Sequence, residues 1–216
     1  RFTELRANTP EVQQVGQALH RAGFNGVLIV ISNPVDVITG IYQQVTGLPA
    51  NQVFGTGTYL DTARLKRSLG DALNVDPRSI QGYMLGEHGD SQFAAWSTVR
   101  VLGQKADELV TNYHLDLDAV ANDARVGGFT VFSGKKYTNF AIAHAAVSLA
   151  QLVLSDAHNE AIVSHYDARF AGYISTPAII GRSGVVANFE LTLTADEQRA
   201  LQQSANAIAE KTAAYL

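Results

Sequence analysis

Val27-Leu28-Ile29-Val30-Ile31-Ser32-Asn33-Pro34 decides how this chain is read. Residues 27–31 run without a polar break, the pattern of a strand that is apolar on both faces and belongs in a parallel sheet. Ser32-Asn33-Pro34 is a sharp exit, and residues 35–46 carry a helical pattern that Gly47 and Pro49 stop. Upstream, Thr9-Pro10-Glu11 opens a helix over 9–22 with a cap, a first-turn proline and an acid, and Val12, Val15 and Leu19 recur at helical spacing. Downstream, Val53-Phe54 is a short strand, and Gly55-Thr56-Gly57 turns into a helix over about 58–73. Helix, buried strand, helix, strand, helix is the cadence of a doubly wound α/β sheet.

After Pro77 the pattern changes. Strands are predicted at Ile80–Leu85, Ser97–Val101, Glu160–Tyr166, Gly172–Gly181 and Gly184–Leu193, and helices at 116–126 and 137–156. Gly181-Arg182-Ser183-Gly184 reads as a hairpin turn. Thr194 caps a last helix whose apolar stripe is Leu201, Ala205, Ile208 and Thr212. The expectation is a mixed α+β region built on the end of an α/β sheet, with a boundary near residue 56.

Composition narrows the function classes. The 216 residues carry 16 Lys+Arg against 20 Asp+Glu, a net charge of −4, so the basic excess of a nucleic-acid binder is absent. Hydrophobic residues at 46% and charged residues at 17% suit a packed globule. The chain has no cysteine, which removes disulfides, thiolate zinc sites and cysteine nucleophiles and fits a reducing compartment. The apolar stretch Ala141–Leu154 is short for a membrane span and reads as a core helix. The chain starts at Arg1 with no basic-then-apolar leader, and part of a longer protein is the expectation.

Three polar clusters are candidates for chemistry. Asn33 and Asp36 follow the carboxyl end of the buried strand, where open α/β sheets bind ligands; Asn-Pro is equally common turn chemistry. Asp61 and Arg64 share one helical face at i, i+3, as a surface ion pair also would. Gly86-Glu87-His88-Gly89-Asp90-Ser91 places a histidine on a glycine turn after a strand, fit for acid/base work near neutral pH. Glu87, His88 and Asp90 as metal ligands are the rival reading, without the helical i, i+4 pairing of a zincin. The other histidines have no partner cluster. Gly55-Thr56-Gly57 lacks the third glycine of a dinucleotide fingerprint. Taken together, an acid that orients a histidine and an arginine that grips a carboxylate are what reversible oxidation of a 2-hydroxy acid needs.

Val30-Ile-Ser-Asn-Pro-Val-Asp36, Leu60-Asp-Thr-Ala-Arg64 and Leu85-Gly-Glu-His-Gly-Asp-Ser91 resemble, in order and spacing, three signatures of the L-lactate/L-malate dehydrogenase family. The resemblance runs over essentially the whole chain. Gly55–Thr58, Gln92-Phe93 and Ala95–Val101 are most similar to its L-2-hydroxyisocaproate dehydrogenase branch. It implies an α/β fold: the C-terminal part of a Rossmann-type doubly wound sheet over 1–56, followed by a mixed α+β substrate domain over 57–216. It implies NAD as cofactor, 2-oxo and 2-hydroxy acids as substrates, no metal, a homo-oligomer (tetramer or dimer) and a cytoplasmic setting. By resemblance His88 exchanges the proton, Asp61 pairs with it, and Arg64 binds the substrate carboxylate. Asn33 and Thr138 join the substrate pocket, and Arg1 polarises the ketone oxygen. Ile31, Asn33, Thr56 and Ile142 contact the cofactor.

Two departures carry consequences. Most lactate dehydrogenases read Asn-Leu-Asp-Ser-Ala-Arg where this chain has Tyr59-Leu60-Asp61-Thr62-Ala63-Arg64. Lys66 and Gln81 stand where the allosteric enzymes of the family carry an arginine and a histidine for fructose 1,6-bisphosphate, so no such activation is expected. L-Lactate dehydrogenase and then malate dehydrogenase are the alternatives among enzymes, and a non-catalytic relative is the alternative of another class.

Overall fold

A computed structural model describes the backbone of residues 2–213 and the side chains of residues 5–213; Arg1 lies outside the described residues. Helix α1 (Phe2–Arg21) packs on α2 (Val35–Thr46), with strand β1 (Leu28–Val30) between them in sequence. The helix runs through Pro10 instead of starting there. Leu5 and Val12 are both buried in the core α1 shares with α2, and that burial extends the helix upstream past the proline that was expected to open it. Thr9, the expected cap, instead donates its hydroxyl to the Leu5 carbonyl at 2.7 Å inside the helix.

Strand β2 (Val53–Gly55) pairs in parallel with β1 and leads into α3 (Tyr59–Leu73). Strands β3 (Ile80–Leu85), β4 (Phe93–Val101) and β5 (Gln104–Lys105) form a separate antiparallel sheet in that order. Three helices follow, α4 (Ala106–Tyr113), α5 (Leu117–Lys135) and α6 (Phe140–Leu154), and then β6 (Asn159–Asp167), β7 (Gly172–Gly181) and β8 (Gly184–Asn188). These strands join the first pair to make one five-stranded sheet in the order β1-β2-β6-β7-β8, so it draws strands from both sides of residue 56. Helix α7 (Ala195–Ala213) closes the described chain, and Thr194 caps it as expected: its Oγ1 accepts from the Glu197 amide at 3.2 Å, while Glu197 accepts from the Thr194 amide at 2.9 Å.

Several boundaries differ from the sequence reading for identifiable reasons. β1 is shorter than the apolar run, with Leu28 and Ile29 half-buried and Ile31 exposed past its carboxyl end. β4 begins at Phe93 rather than Ser97, because Phe93, Ala94 and Ala95 pair with Leu85, Met84 and Tyr83. α5 continues through Gly127-Gly128 to Lys135, past the expected end at residue 126. α4 was not foreseen; only Ala106 and Leu109 of it are buried, too few positions to show a period.

Phe54 on β2 is fully buried among Leu149, Ala161, Val163, Ala178 and Ile180. Phe54→Ala is expected to cost about 3–5 kcal/mol of unfolding free energy, the usual toll for deleting a buried ring. Urea titration checks this as a lowered midpoint with an unchanged slope.

Candidate functional site

A backbone bridge joins the two sheets, and the site is built on it. As β3 ends, Gly86 exchanges both backbone hydrogen bonds with Ser175 of β7, at 3.0 and 3.1 Å. Gly86 has φ +94°, and a Cβ there would lie 2.5 Å from Ser204 Oγ, so the chain can turn here only as glycine. The Gly89 amide bonds back to the Glu87 carbonyl at 2.7 Å, and the tight turn sets His88 on its outer side with the side chain 21% exposed.

Helix α3 comes to the same place from β2. Thr58 is fixed on both sides, its amide donating to Ser175 Oγ (3.1 Å) and its hydroxyl to the Met84 carbonyl (2.6 Å). Asp61 in the first turn and Arg64 one turn later therefore face the His88 turn. Asp61 is 1% exposed and uses both oxygens: Oδ2 lies 2.5 Å from His88 Nδ1, and Oδ1 accepts from Arg64 Nη1 at 2.8 Å. Burial works against ionising Asp61, but the His88 hydrogen bond and charge, with those of Arg64, outweigh it and hold the carboxyl below the usual range. A carboxylate on Nδ1 sets the tautomer and the orientation of the ring.

The depressed Asp61 value has a consequence for stability. The folded pKa lies below the unfolded one, so the pairing contributes stability above about pH 4 that is lost as pH falls through the depressed value. Urea midpoints at pH 6 and pH 3 are expected to differ less in Asp61→Asn than in the wild type.

Asp36, which the sequence reading placed in a candidate cluster without a specific role, and residues it gave no role complete the arrangement. Asp36, buried on α2, accepts the His88 amide on Oδ2 at 2.8 Å. Burial raises its carboxyl above the ordinary range, more than the His88 amide and charge offset. Ser175 ties β7 to α3. Gly127 and Gly128 leave room on α5 for Arg64, since a Cβ on either would stand 3.2 Å from its side chain. A lone acid in the apolar run Val35-Asp36-Val37-Ile38 was the available signal for Asp36; the glycine pair gave none, because its partner is more than sixty residues away.

The remaining candidates separate into two groups. Ile31, Asn33 and Thr56 sit at the carboxyl ends of the parallel pair β1 and β2, where Val30 is in register with Gly55. Thr56 is buried, its amide on the Val30 carbonyl at 2.9 Å; Asn33 is exposed, its carbonyl accepting from Asn8 at 2.8 Å. Thr138 is exposed in the loop before α6, and Ile142 is half-buried in the first turn of that helix, which packs on both β1 and α3. Thr138 makes no hydrogen bond to Asp61 or Arg64 among the described residues. Arg1 lies outside those residues. Glu87 turns to Ser91 and Lys211, and no group of three or more His, Cys, Asp or Glu among the described residues is arranged to hold a metal.

Comparison with known proteins agrees with this geometry. Residues 58–214 match the model of the lactate/malate dehydrogenase α/β C-terminal domain, and residues 3–55 match that family's NAD binding domain. An L-lactate dehydrogenase of Bacillus thuringiensis is 37% identical over 213 residues, covering 94% of this chain and 67% of its own length. One from Lactobacillus acidophilus is 33% identical over 97% of this chain and 67% of its own. The ligand-bound crystal structure of the minor L-lactate dehydrogenase of Enterococcus mundtii superposes with a TM-score of 0.95 at 31% identity, covering 100% of this chain and 71% of that one.

Proposed function

Because this chain belongs to the lactate/malate dehydrogenase family, we propose that it serves the NAD-dependent, reversible reduction of 2-oxo acids to L-2-hydroxy acids, with pyruvate and L-lactate as the favoured pair. The observation that carries the reading is Asp61, which spends one oxygen on His88 and the other on Arg64 while almost wholly desolvated. A purely structural role would not require a buried acid to hold a partly exposed imidazole and guanidinium side by side.

The residues at the strand ends fit a dinucleotide. Ile31 is a 47% exposed apolar side chain beside buried Thr56, a surface suited to a flat ring, and Asn33 adds a polar side chain at its rim. We assign these three, with Ile142, to the cofactor, which when bound supplies or accepts hydride at the substrate's C2 carbon. Arg64 grips the substrate carboxylate, with Asn33 and Thr138 lining the pocket. His88 Nε2 donates a proton to the oxo oxygen in reduction and takes it back in oxidation. Asp61 orients the ring and stabilises its charged form. Arg1 takes the role of polarising the ketone oxygen. Residues 1–56 then serve the cofactor and 57–216 the substrate.

The lactate reading stands ahead of the hydroxyisocaproate one, since the relatives above are named L-lactate dehydrogenases. A homo-oligomer in the cytoplasm belongs to the same proposal. It is supported by exposed Phe129, Phe132 and Phe140 on α5 and α6, and no helix among the described residues is long and apolar enough to cross a membrane. The test is NADH oxidation by the full-length protein with pyruvate, 2-oxoisocaproate and oxaloacetate. Highest kcat/KM with pyruvate is the expected result; a preference for 2-oxoisocaproate overturns the choice of substrate, and turnover with none of the three overturns the activity.

A further inference from the structure

Residues 136–139 join α5 to α6, carry Thr138 and are exposed throughout, so burial does not hold this loop. Its contacts converge instead on Lys135, the last residue of α5. The Lys135 ammonium stands 4.8 Å from the centre of the Tyr137 ring and 4.5 Å from that of Phe140. Both are within the range at which an aromatic face attracts a cation. The same ammonium donates to Asn139 Oδ1 at 3.0 Å. Its three partners follow it in sequence at positions 137, 139 and 140, so the chain wraps around the charge with Thr138 on the wrap. Asn139 gives up something for this contact. It is the N-cap of α6, where an asparagine side chain ordinarily accepts from an amide of the first turn. Here the side chain makes no cap hydrogen bond, because Oδ1 is turned back to Lys135.

Lys136 has a different task. Its backbone is left-handed at φ +68°, its amide bonds to the Phe132 carbonyl at 2.7 Å, and its ammonium donates to the Ser133 carbonyl at 3.0 Å. Lys136 thus closes α5, while Lys135 ties α5 to the helix that follows. At the other end of this link, Gly128 lies against Arg64, seven residues and so two turns before Lys135 on one face of α5. We infer that Lys135 is a positioning residue for the substrate pocket: it clasps the 136–139 loop so that Thr138 keeps a fixed place relative to Arg64, and the pocket stays small enough to favour a short 2-oxo acid. This rests on the proposed roles of Thr138 and Arg64. Without the ammonium, the two rings and the asparagine have nothing in common to hold, and the loop swings outward from α5. His88, Asp61 and Arg64 stand on other elements and stay in place.

The experiment uses the full-length protein as wild type, Lys135→Met, Lys135→Arg, Tyr137→Leu and the double variant Lys135→Met/Tyr137→Leu. Two readouts are taken: steady-state kinetics with pyruvate and 2-oxoisocaproate, and the NMR resonance of the lysine ε-methylene groups. Lys135→Met is expected to raise KM for pyruvate about 5- to 30-fold, the range that two exposed cation–π contacts convert to, with kcat nearly unchanged. KM for 2-oxoisocaproate rises less, because a longer side chain fills the room a loosened loop leaves. The ratio of the two kcat/KM values therefore moves toward the larger acid, which a general loss of stability would not cause. Lys135→Arg keeps a cation that stacks on aromatic faces and retains most of the wild-type ratio. Tyr137→Leu moves the ratio in the same direction, and the double variant goes little further than Lys135→Met, since both remove one contact. In the wild type the Lys135 resonance, identified by its loss in Lys135→Met, lies upfield under the rings and moves downfield in Tyr137→Leu. A ratio unmoved in Lys135→Met, a fully additive double variant or a Lys135 resonance without a ring shift overturns the inference. Should Lys135→Met not fold, Tyr137→Leu must move the ratio by itself, and its failure to do so counts against the inference. A wild type that turns over neither acid removes the proposed function while the resonance still reports on the clasp; an active one whose variants leave the ratio unmoved removes only the positioning role.

Discussion

His88→Asn is expected to lower kcat about 10³- to 10⁴-fold, the range over which a well-placed acid/base group acts. The fold should survive. The His88 side chain is partly exposed, and its hold on Asp36 is through the backbone amide, which the substitution keeps. An asparagine amide can still donate to Asp61, so the buried carboxylate retains a partner and the turn its shape. What disappears is the group proposed to carry a proton between substrate and solvent. Steady-state kinetics alongside thermal melting checks this: the melting temperature should move by a few degrees at most while turnover collapses at every pH. Near-normal turnover in a folded variant removes His88 from the proton-transfer role.

Arg64→Lys is expected to act on binding rather than on the chemical step. Arg64 gives Nη1 to Asp61, and its guanidinium lies against Gly127 and Gly128, which fixes its plane. A planar fork with further donors can hold Asp61 and a substrate carboxylate together; a lysine ammonium is a point charge that must divide itself between them. Losing one charge-assisted hydrogen bond to the substrate costs about 2 kcal/mol, or about 30-fold in KM for pyruvate. The change in kcat should be smaller, because His88 and Asp61 stay joined. Initial rates over a wide pyruvate range separate the two parameters, and an unchanged KM removes Arg64 from the carboxylate role.

The three motifs proposed to carry the chemistry were legible because each is short and local. Asn33-Pro34 follows a strand, Asp61 and Arg64 share a helical turn, and His88 stands between two glycines; spacing alone places each side chain relative to its own element. The glycine turn was also legible in its backbone consequence, with Gly86 in the left-handed region. The end of α5 was not legible. Residue 126 is its expected end, and the helix runs on through Gly127-Gly128, where an arginine is brought alongside from α3. Pro10 misled in the same way, since the burial of Leu5 against α2 outweighs a local breaker.

By itself the sequence determined the α/β cadence, most of the strands and helices outside β5 and α4, and the chemical type proposed for the site, because periodicity and turn chemistry act over a few residues. Only the tertiary structure decided that β6, β7 and β8 would extend the sheet begun by β1 and β2, and that Gly86 would stitch that sheet to the smaller one at Ser175. It also decided that Asp36 and Lys211, which are far apart in sequence, would meet the two sides of one turn. Burial is the physical reason. A buried charge or amide must find its partner wherever the fold brings one, and no local pattern records which distant residue that will be.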